Sequence, residues 1–156
     1  FHGDLHPGNC IVDADGKFVF IDNGAICHAP QHVAHSLFTF FDHLSRQERH
    51  EAFTALLTMT ELPPNKKKLE KYYATMEEIY HDFELKPVGE QSLTRIMMRT
   101  VRAAVEHAGA HFGEEAFPII RALMYLDGLV IRTHPDALLI QSMGPFLEEF
   151  KTKLNI

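Results

Sequence analysis

Asp4, Asn9 and Asp22 are the side chains of this sequence whose types and spacing could do chemistry: an aspartate, an asparagine five residues on, and a second aspartate thirteen residues beyond that. Carboxylates and an amide oxygen suit phosphoryl transfer. That reaction spreads negative charge over the transferring group, so catalysis rests on positioning and on neutralisation by Mg²⁺. Mg²⁺ is a hard ion that takes oxygen ligands, keeps several waters and needs few carboxylates beside the substrate phosphates. Asp22 offers a carboxylate and Asn9 an amide oxygen. Asp4 would orient an attacking hydroxyl or water and accept its proton. Each residue alone reads equally well as a solvated loop side chain; the intervals together favour a site.

Local structure must bring Asn9 and Asp22 together. Between them lies Cys10-Ile-Val-Asp-Ala-Asp-Gly-Lys-Phe-Val-Phe-Ile21, two β-prone runs around Asp15-Gly16, a strong hairpin signal. The far ends of a hairpin meet, which places Asn9 beside Asp22. Pro7-Gly8 adds a turn just ahead. After Gly24 the periodicity becomes helical. Val33, Leu37, Phe40, Phe41 and Leu44 mark a helix beginning after Pro30, and Phe53, Leu56 and Leu57 a shorter second one. Breaks follow at Leu62-Pro63-Pro64-Asn65 and Lys86-Pro87-Val88-Gly89. Between them, Leu69, Tyr72, Tyr73, Met76, Ile79, Tyr80 and Phe83 form a clean amphipathic stripe, read as core in preference to a lipid or quinone pocket. Leu93 to Ala108 is a further helix. From Phe117 to Ile131 apolar residues nearly encircle the axis, which predicts a buried central helix. Pro135-Asp136 opens a last helical region that Gly144-Pro145 should split.

The string Phe1-His-Gly-Asp-Leu-His-Pro-Gly-Asn9, with Ile21-Asp-Asn-Gly24, resembles the catalytic and metal-binding segments of the UbiB-type atypical kinases, which are linked to ubiquinone (coenzyme Q) biosynthesis. It is also similar to the aminoglycoside and choline phosphotransferases, which share the string from His2 to Asn9. Arg121-Ala-Leu-Met-Tyr-Leu-Asp-Gly-Leu-Val-Ile-Arg-Thr-His-Pro-Asp136 is similar to a late UbiB segment, in which an acidic residue and Gly precede an Arg and then Pro-Asp, and this favours UbiB. The resemblance implies the C-terminal lobe of a protein-kinase-like fold, mainly α with one short β-hairpin, using ATP and Mg²⁺. It carries the catalytic-loop aspartate onto Asp4 and the metal and cofactor ligands onto Asn9 and Asp22. His6 falls where many protein kinases hold a lysine near the transferring phosphate and joins Asp4 as a catalytic candidate, although histidine is a less constant cation. His2 matches a histidine that packs and orients the loop.

Two departures stand out. The UbiB pattern more often has Ala where Gly3 stands, and Asn23 replaces the Phe common after the metal-binding aspartate. A kinase-like fold also needs a glycine-rich strand pair and a lysine–glutamate ion pair ahead of this loop. No glycine-rich phosphate loop is found in these 156 residues. The expectation is therefore a catalytic loop and metal-binding hairpin over 1–24 and a helical region over 30–156, with the nucleotide-binding lobe outside this chain. Such a piece alone should bind nucleotide weakly and be inactive. Its expected partners are nucleotide, that upstream lobe, and lipid or quinone-biosynthesis proteins. The alternatives are small-molecule phosphotransfer of the aminoglycoside or choline type, and a pseudokinase lobe that scaffolds a biosynthetic complex. A dinuclear metallophosphatase, suggested by His2-Gly-Asp4-Leu-His6, would need further ligands on later strands, where this sequence is helical.

Composition narrows the class. The chain carries a net charge of -6 with no long basic run, which argues against nucleic-acid binding, and its 46% hydrophobic content is that of a folding domain. Lys66-Lys67-Lys68 reads as the solvated start of a helix. Cys10 and Cys27 lack metal-ligand spacing and favour a reducing compartment. His28, His32 and His35 would stack on one side of a helix, better read as a solvated or partly packed face than as a Zn²⁺ site.

Overall fold

The computed structural model of the protein describes residues 1–62, 64–83 and 85–154; Pro63, in the first predicted break, lies outside them. Strands β1 (Cys10–Val12) and β2 (Phe18–Phe20) pair antiparallel, with Cys10 opposite Phe20 and Val12 opposite Phe18. Asp13 ties the turn between them. Its Oδ1 accepts the N–H groups of Asp15 (2.9 Å) and Lys17 (2.8 Å), and its carbonyl accepts that of Gly16 (3.1 Å). Gly16 sits at φ 78°, a left-handed conformation that costs glycine little.

Below the hairpin, the first residues run beside the segment that follows Asp22. Gly3 N–H donates to the Ala25 carbonyl (2.8 Å), Cys27 N–H to the Phe1 carbonyl (2.9 Å), and His2 pairs antiparallel with Ile26. The approach is close. A Cβ on Gly3 would lie 2.7 Å from Cys27 Sγ and 2.9 Å from the Ala25 oxygen, so the departure from Ala at this position has a packing reason.

Six α-helices follow among the described residues. They are α1 (Gln31–Ser45), α2 (Arg49–Leu57), α3 (Leu69–Tyr80), α4 (Leu93–Ala103), α5 (Ala116–Thr133) and α6 (Leu139–Leu154). The fold is thus mainly α with one short hairpin. Helix α1 packs on α2 and α6, and α4 packs on α3 and α5. A π-helical turn, Ala104–Ala108, prolongs α4 and ends on Gly109 at φ 69°. The core joins Val33, Phe40 and Leu44 of α1 to Phe53 and Leu56 of α2 and to Tyr72, Met76, Ile79 and Tyr80 of α3. The stripe on α3 is therefore core. Its hydroxyls are satisfied where they are buried: Tyr72 donates to the Phe53 carbonyl (2.9 Å), and Tyr80 lies 3.0 Å from Thr100 Oγ1.

Four expectations need correction. Helix α3 stops at Tyr80, because Phe83 N–H bonds back only three residues (3.2 Å) to Tyr80 and tightens the chain into a turn; Phe83 stays buried all the same. His28 precedes α1, so of these three only His32 and His35 lie on that helix, and both are exposed. Helix α5 is not a buried central helix: Phe117 is 77% and Met124 42% exposed, while Ala116, Ile119 and Asp127 are buried. Apolar residues all round a helix signal burial only where neighbours surround it, and the described residues leave the side of Phe117 and Met124 uncovered. Helix α6 runs through Gly144-Pro145 unbroken. Ile140 and Leu147 are buried on either side of the proline, and beyond it Lys151 Nζ reaches the buried Asp42 of α1 (2.7 Å) while Arg46 pairs with Glu148 (2.8 Å). Both halves are anchored, which offsets the lost helical bond.

Two outcomes test this packing. Gly3→Ala should cost about 1–3 kcal/mol in denaturant unfolding, since part of the clash is with backbone. Burial pushes the Tyr80 phenol up from 10.0 to about 12, and burial raises Tyr72 as well. A group with a raised folded pKa stabilises the fold below its unfolded value, so this contribution is whole below about pH 10 and is lost as pH climbs towards about 12. Tyr80 alone should then remove on the order of 2–3 kcal/mol. Tyr80→Phe should flatten that alkaline loss, as read by denaturant unfolding across the same pH range.

Candidate functional site

The hairpin register decides the meeting of Asn9 and Asp22. Ile21 N–H donates to the Asn9 carbonyl (3.1 Å), which prolongs the strand pairing by one step and leaves Asp22 as the next residue. Asn9 ends a short 3₁₀ turn, Pro7–Asn9, whose N-cap is His6. The His6 Nδ1 accepts the Gly8 N–H (3.0 Å), as a capping side chain does at a helix start. The two intervals in the sequence are thus spanned by a turn and a hairpin, which link the backbones of these residues into one cluster.

His2 closes the cluster. Its Nδ1 accepts the Asp4 N–H (3.2 Å), and its Nε2 lies 2.5 Å from the Asp22 carbonyl oxygen. A carbonyl can only accept and a backbone N–H can only donate, so both bonds are made by one neutral tautomer, protonated on Nε2. The Phe20 ring lies beside the imidazole, with centroids 5.7 Å apart. His2 therefore does what its match to an orienting histidine implies.

The candidate donors are held in defined orientations. Asn9 is buried, and its amide nitrogen donates to the Asp4 carbonyl (3.1 Å), which leaves Oδ1 as the acceptor end. The Asp22 Oδ1 accepts the Gly24 N–H (2.9 Å), a turn that orients an otherwise exposed carboxylate. Asp4 is half-buried, with its Oδ2 4.0 Å from His6 Nε2, beyond hydrogen-bonding distance. An amide oxygen and a carboxylate are hard donors of the type Mg²⁺ takes. Among the described residues no three His, Cys, Asp or Glu side chains gather as a metal-binding group. Asn9 and Asp22 would supply two ligands, with water and phosphate completing the set as Mg²⁺ commonly requires.

The helical region contributes residues that spacing did not single out. Arg121 of α5 donates from Nε to the Gly3 carbonyl (2.8 Å), and the Tyr125 ring stands edge-on to His6 with centroids 6.0 Å apart. Asp127 of the same helix is buried and caps α4, accepting the N–H groups of Leu93 (3.2 Å) and Thr94 (3.0 Å) and the Thr94 hydroxyl (2.7 Å). Its charge at a helix N-terminus also suits the helix dipole. The only advance signal was the late segment from Arg121 to Asp136, which holds all three but does not say what they touch. Cys10 and Cys27 are free thiols. Among the described residues no helix is long and apolar enough to cross a membrane.

Residues 1–56 match the ABC1 atypical kinase-like domain. A protein of Blochmanniella pennsylvanica named "Probable protein kinase UbiB" is 24% identical over 162 residues, covering 96% of this chain and 28% of its own length. Its namesake in Marinobacter nauticus is 26% identical over 165 residues, covering 98% of this chain and 28% of its own length. That of Pseudomonas fluorescens is 27% identical over 162 residues, covering 96% and 28% respectively. This chain therefore spans less than a third of the length of these relatives, and no solved structure matches it. The chain is thus similar to proteins named as probable UbiB kinases along nearly its whole length, and its first 56 residues match the ABC1 atypical kinase-like domain.

Proposed function

We propose that this chain is the C-terminal catalytic lobe of an ATP-dependent UbiB-type kinase or ATPase. The observation that supports this most is the clamp of His2 across Asp4 and Asp22, which joins the two polar segments at the base of the hairpin. In this reading Asn9 and Asp22 hold Mg²⁺, which supplies neutralisation of the phosphate charge when it is bound. Asp4 orients the attacking hydroxyl or water and receives its proton. His6, with Nδ1 committed to the turn, offers its Nε2 towards the transferring phosphate. By family resemblance we assign the activity to the support of ubiquinone biosynthesis, with lipid or quinone-biosynthesis proteins as partners.

The hairpin is consistent with a second lobe closing over the site. Ile11, Val12, Phe18, Val19, Phe20 and Ile21 are all exposed, an apolar concentration of the kind that marks an interaction surface. An upstream nucleotide-binding lobe would cover it, with ATP between the two. Small-molecule phosphotransfer and a pseudokinase scaffold remain the competing functions, and the following measurements separate the scaffold from the proposal.

Calorimetric titration of Mg·ATP into the full-length protein should show binding that this chain alone shows only weakly. Asp22→Asn in the full-length protein should abolish the Mg²⁺-dependent part, a loss of several kcal/mol. Unchanged affinity across a Mg²⁺ titration would remove Asp22 from the metal site, and no binding at all by the full-length protein would put the scaffold first. Asp4→Asn should leave nucleotide affinity intact and lower turnover by about 10²–10⁴-fold. Phosphate release continuing at the unsubstituted rate would exclude Asp4 from proton transfer.

A further inference from the structure

The peptide group that joins Gly3 to Asp4 is bonded at both ends. Its carbonyl accepts Arg121 Nε–H at 2.8 Å, and its N–H donates to His2 Nδ1 at 3.2 Å. A peptide group is planar, so a partner on each side fixes the orientation of that plane. The direction in which the Asp4 side chain leaves the backbone is set at the same point. One of the two partners, His2, belongs to the loop itself. The other comes from 118 residues away, on helix α5.

The same face of α5 meets the loop at two further places. Pro118 Cβ lies 3.7 Å from where a Cβ on Gly3 would stand, and the Tyr125 ring meets His6 edge-on. Positions 118, 121 and 125 are spaced by three and four residues, so they fall on one side of a helix. Helix α5 is itself tied into the helical core, because its Asp127 caps α4. A charge-assisted bond from a guanidinium is among the stronger single hydrogen bonds, and here it spans two parts of the chain that nothing local would align.

We infer that Arg121 is a positioning residue for Asp4, and that α5 is the support on which the catalytic loop is oriented, with Tyr125 backing His6. The inference rests on the proposed role of Asp4 for its effect on turnover, but the geometric link is testable without it. The variants are Arg121→Ala and Arg121→Lys in the full-length protein, with residue-resolved amide hydrogen exchange and steady-state turnover as readouts. In Arg121→Ala, exchange at the Gly3 and Asp4 amides should accelerate about tenfold while amides inside α4 and α5 keep their protection. Turnover should fall about tenfold with the affinity for Mg·ATP within about twofold, and lysine, which can still donate to the carbonyl, should restore part of both. Unchanged exchange at Gly3 and Asp4 would overturn the inference. So would acceleration spread evenly over α4 and α5, because that is the signature of a residue that only stabilises the fold. A local exchange change in a protein without any turnover would uphold the link from Arg121 to the loop and count against the proposed function instead.

Discussion

One imidazole joins the two segments from which the candidate site is built. His2 takes a proton donor from the Asp4 backbone on one ring nitrogen and gives its own proton to the Asp22 backbone on the other. The two bonds require opposite roles of the two nitrogens, so only one tautomer serves, and a doubly protonated ring would set a donor against a donor at Asp4. Everything beside it depends on this alignment. Asn9 reaches the Asp4 carbonyl through the short turn that precedes the hairpin, the hairpin returns the chain to Asp22, and its base is held by the pairing of His2 with Ile26. The strands themselves are three residues long and exposed, too small to fix the spacing of the polar groups by their own packing.

Rigidity therefore has to come from the helical region, and it enters through α5. That helix has an unusual division of labour. Its buried side carries Ala116, Ile119 and the capping Asp127, its loop-facing side carries Pro118, Arg121 and Tyr125, and its remaining side exposes Phe117 and Met124. The stretch after it is pinned too, since Gly89 N–H donates to the Pro135 carbonyl (2.7 Å) and Val88 N–H to the Ala137 carbonyl (3.0 Å). The late segment whose pattern singled out the UbiB resemblance is thus the one that ties the loop to the core. A pattern of one arginine, one tyrosine and one aspartate at positions 121, 125 and 127 is what such a strut needs: a donor for a carbonyl, a ring for a ring, and a charge for a helix start.

Local interactions made much of this legible in the sequence. The turn at Asp15-Gly16 follows from the left-handed glycine, and α1 begins where Pro30 ends an extended stretch. The stripe on α3 is buried as its spacing predicts, because an apolar face with polar flanks has one way to satisfy both. What failed was long-range. Pro145 is a helix breaker by every local rule, yet contacts of Ile140, Leu147 and Lys151 with the rest of the protein hold the helix through it. The exposure of α5 was hidden for the same reason: periodicity records how apolar a face is and not what covers it. Arg121 was invisible as a partner of Gly3, since no local rule connects residues 118 positions apart.

The way the polar atoms are divided bears on whether such a cluster is a relic. Asp4 is held by its backbone, through His2, Asn9 and the neighbouring Gly3 carbonyl, and its carboxylate forms no hydrogen bond within the described residues. Asn9 is held by its amide nitrogen and His6 by Nδ1, and Asp22 by one carboxylate oxygen and its carbonyl. For Asp4, Asn9 and His6 the anchored atom is one that the proposed metal binding or proton transfer would not use, and Asp22 keeps its second carboxylate oxygen. A cluster kept only for stability would be expected to satisfy its polar ends against one another, because an unpaired polar group in a partly buried place costs free energy. Here the backbone and the far nitrogens take most of the structural bonds, and the carboxylate of the half-buried Asp4 and the second oxygen of the exposed Asp22 are acceptors left over.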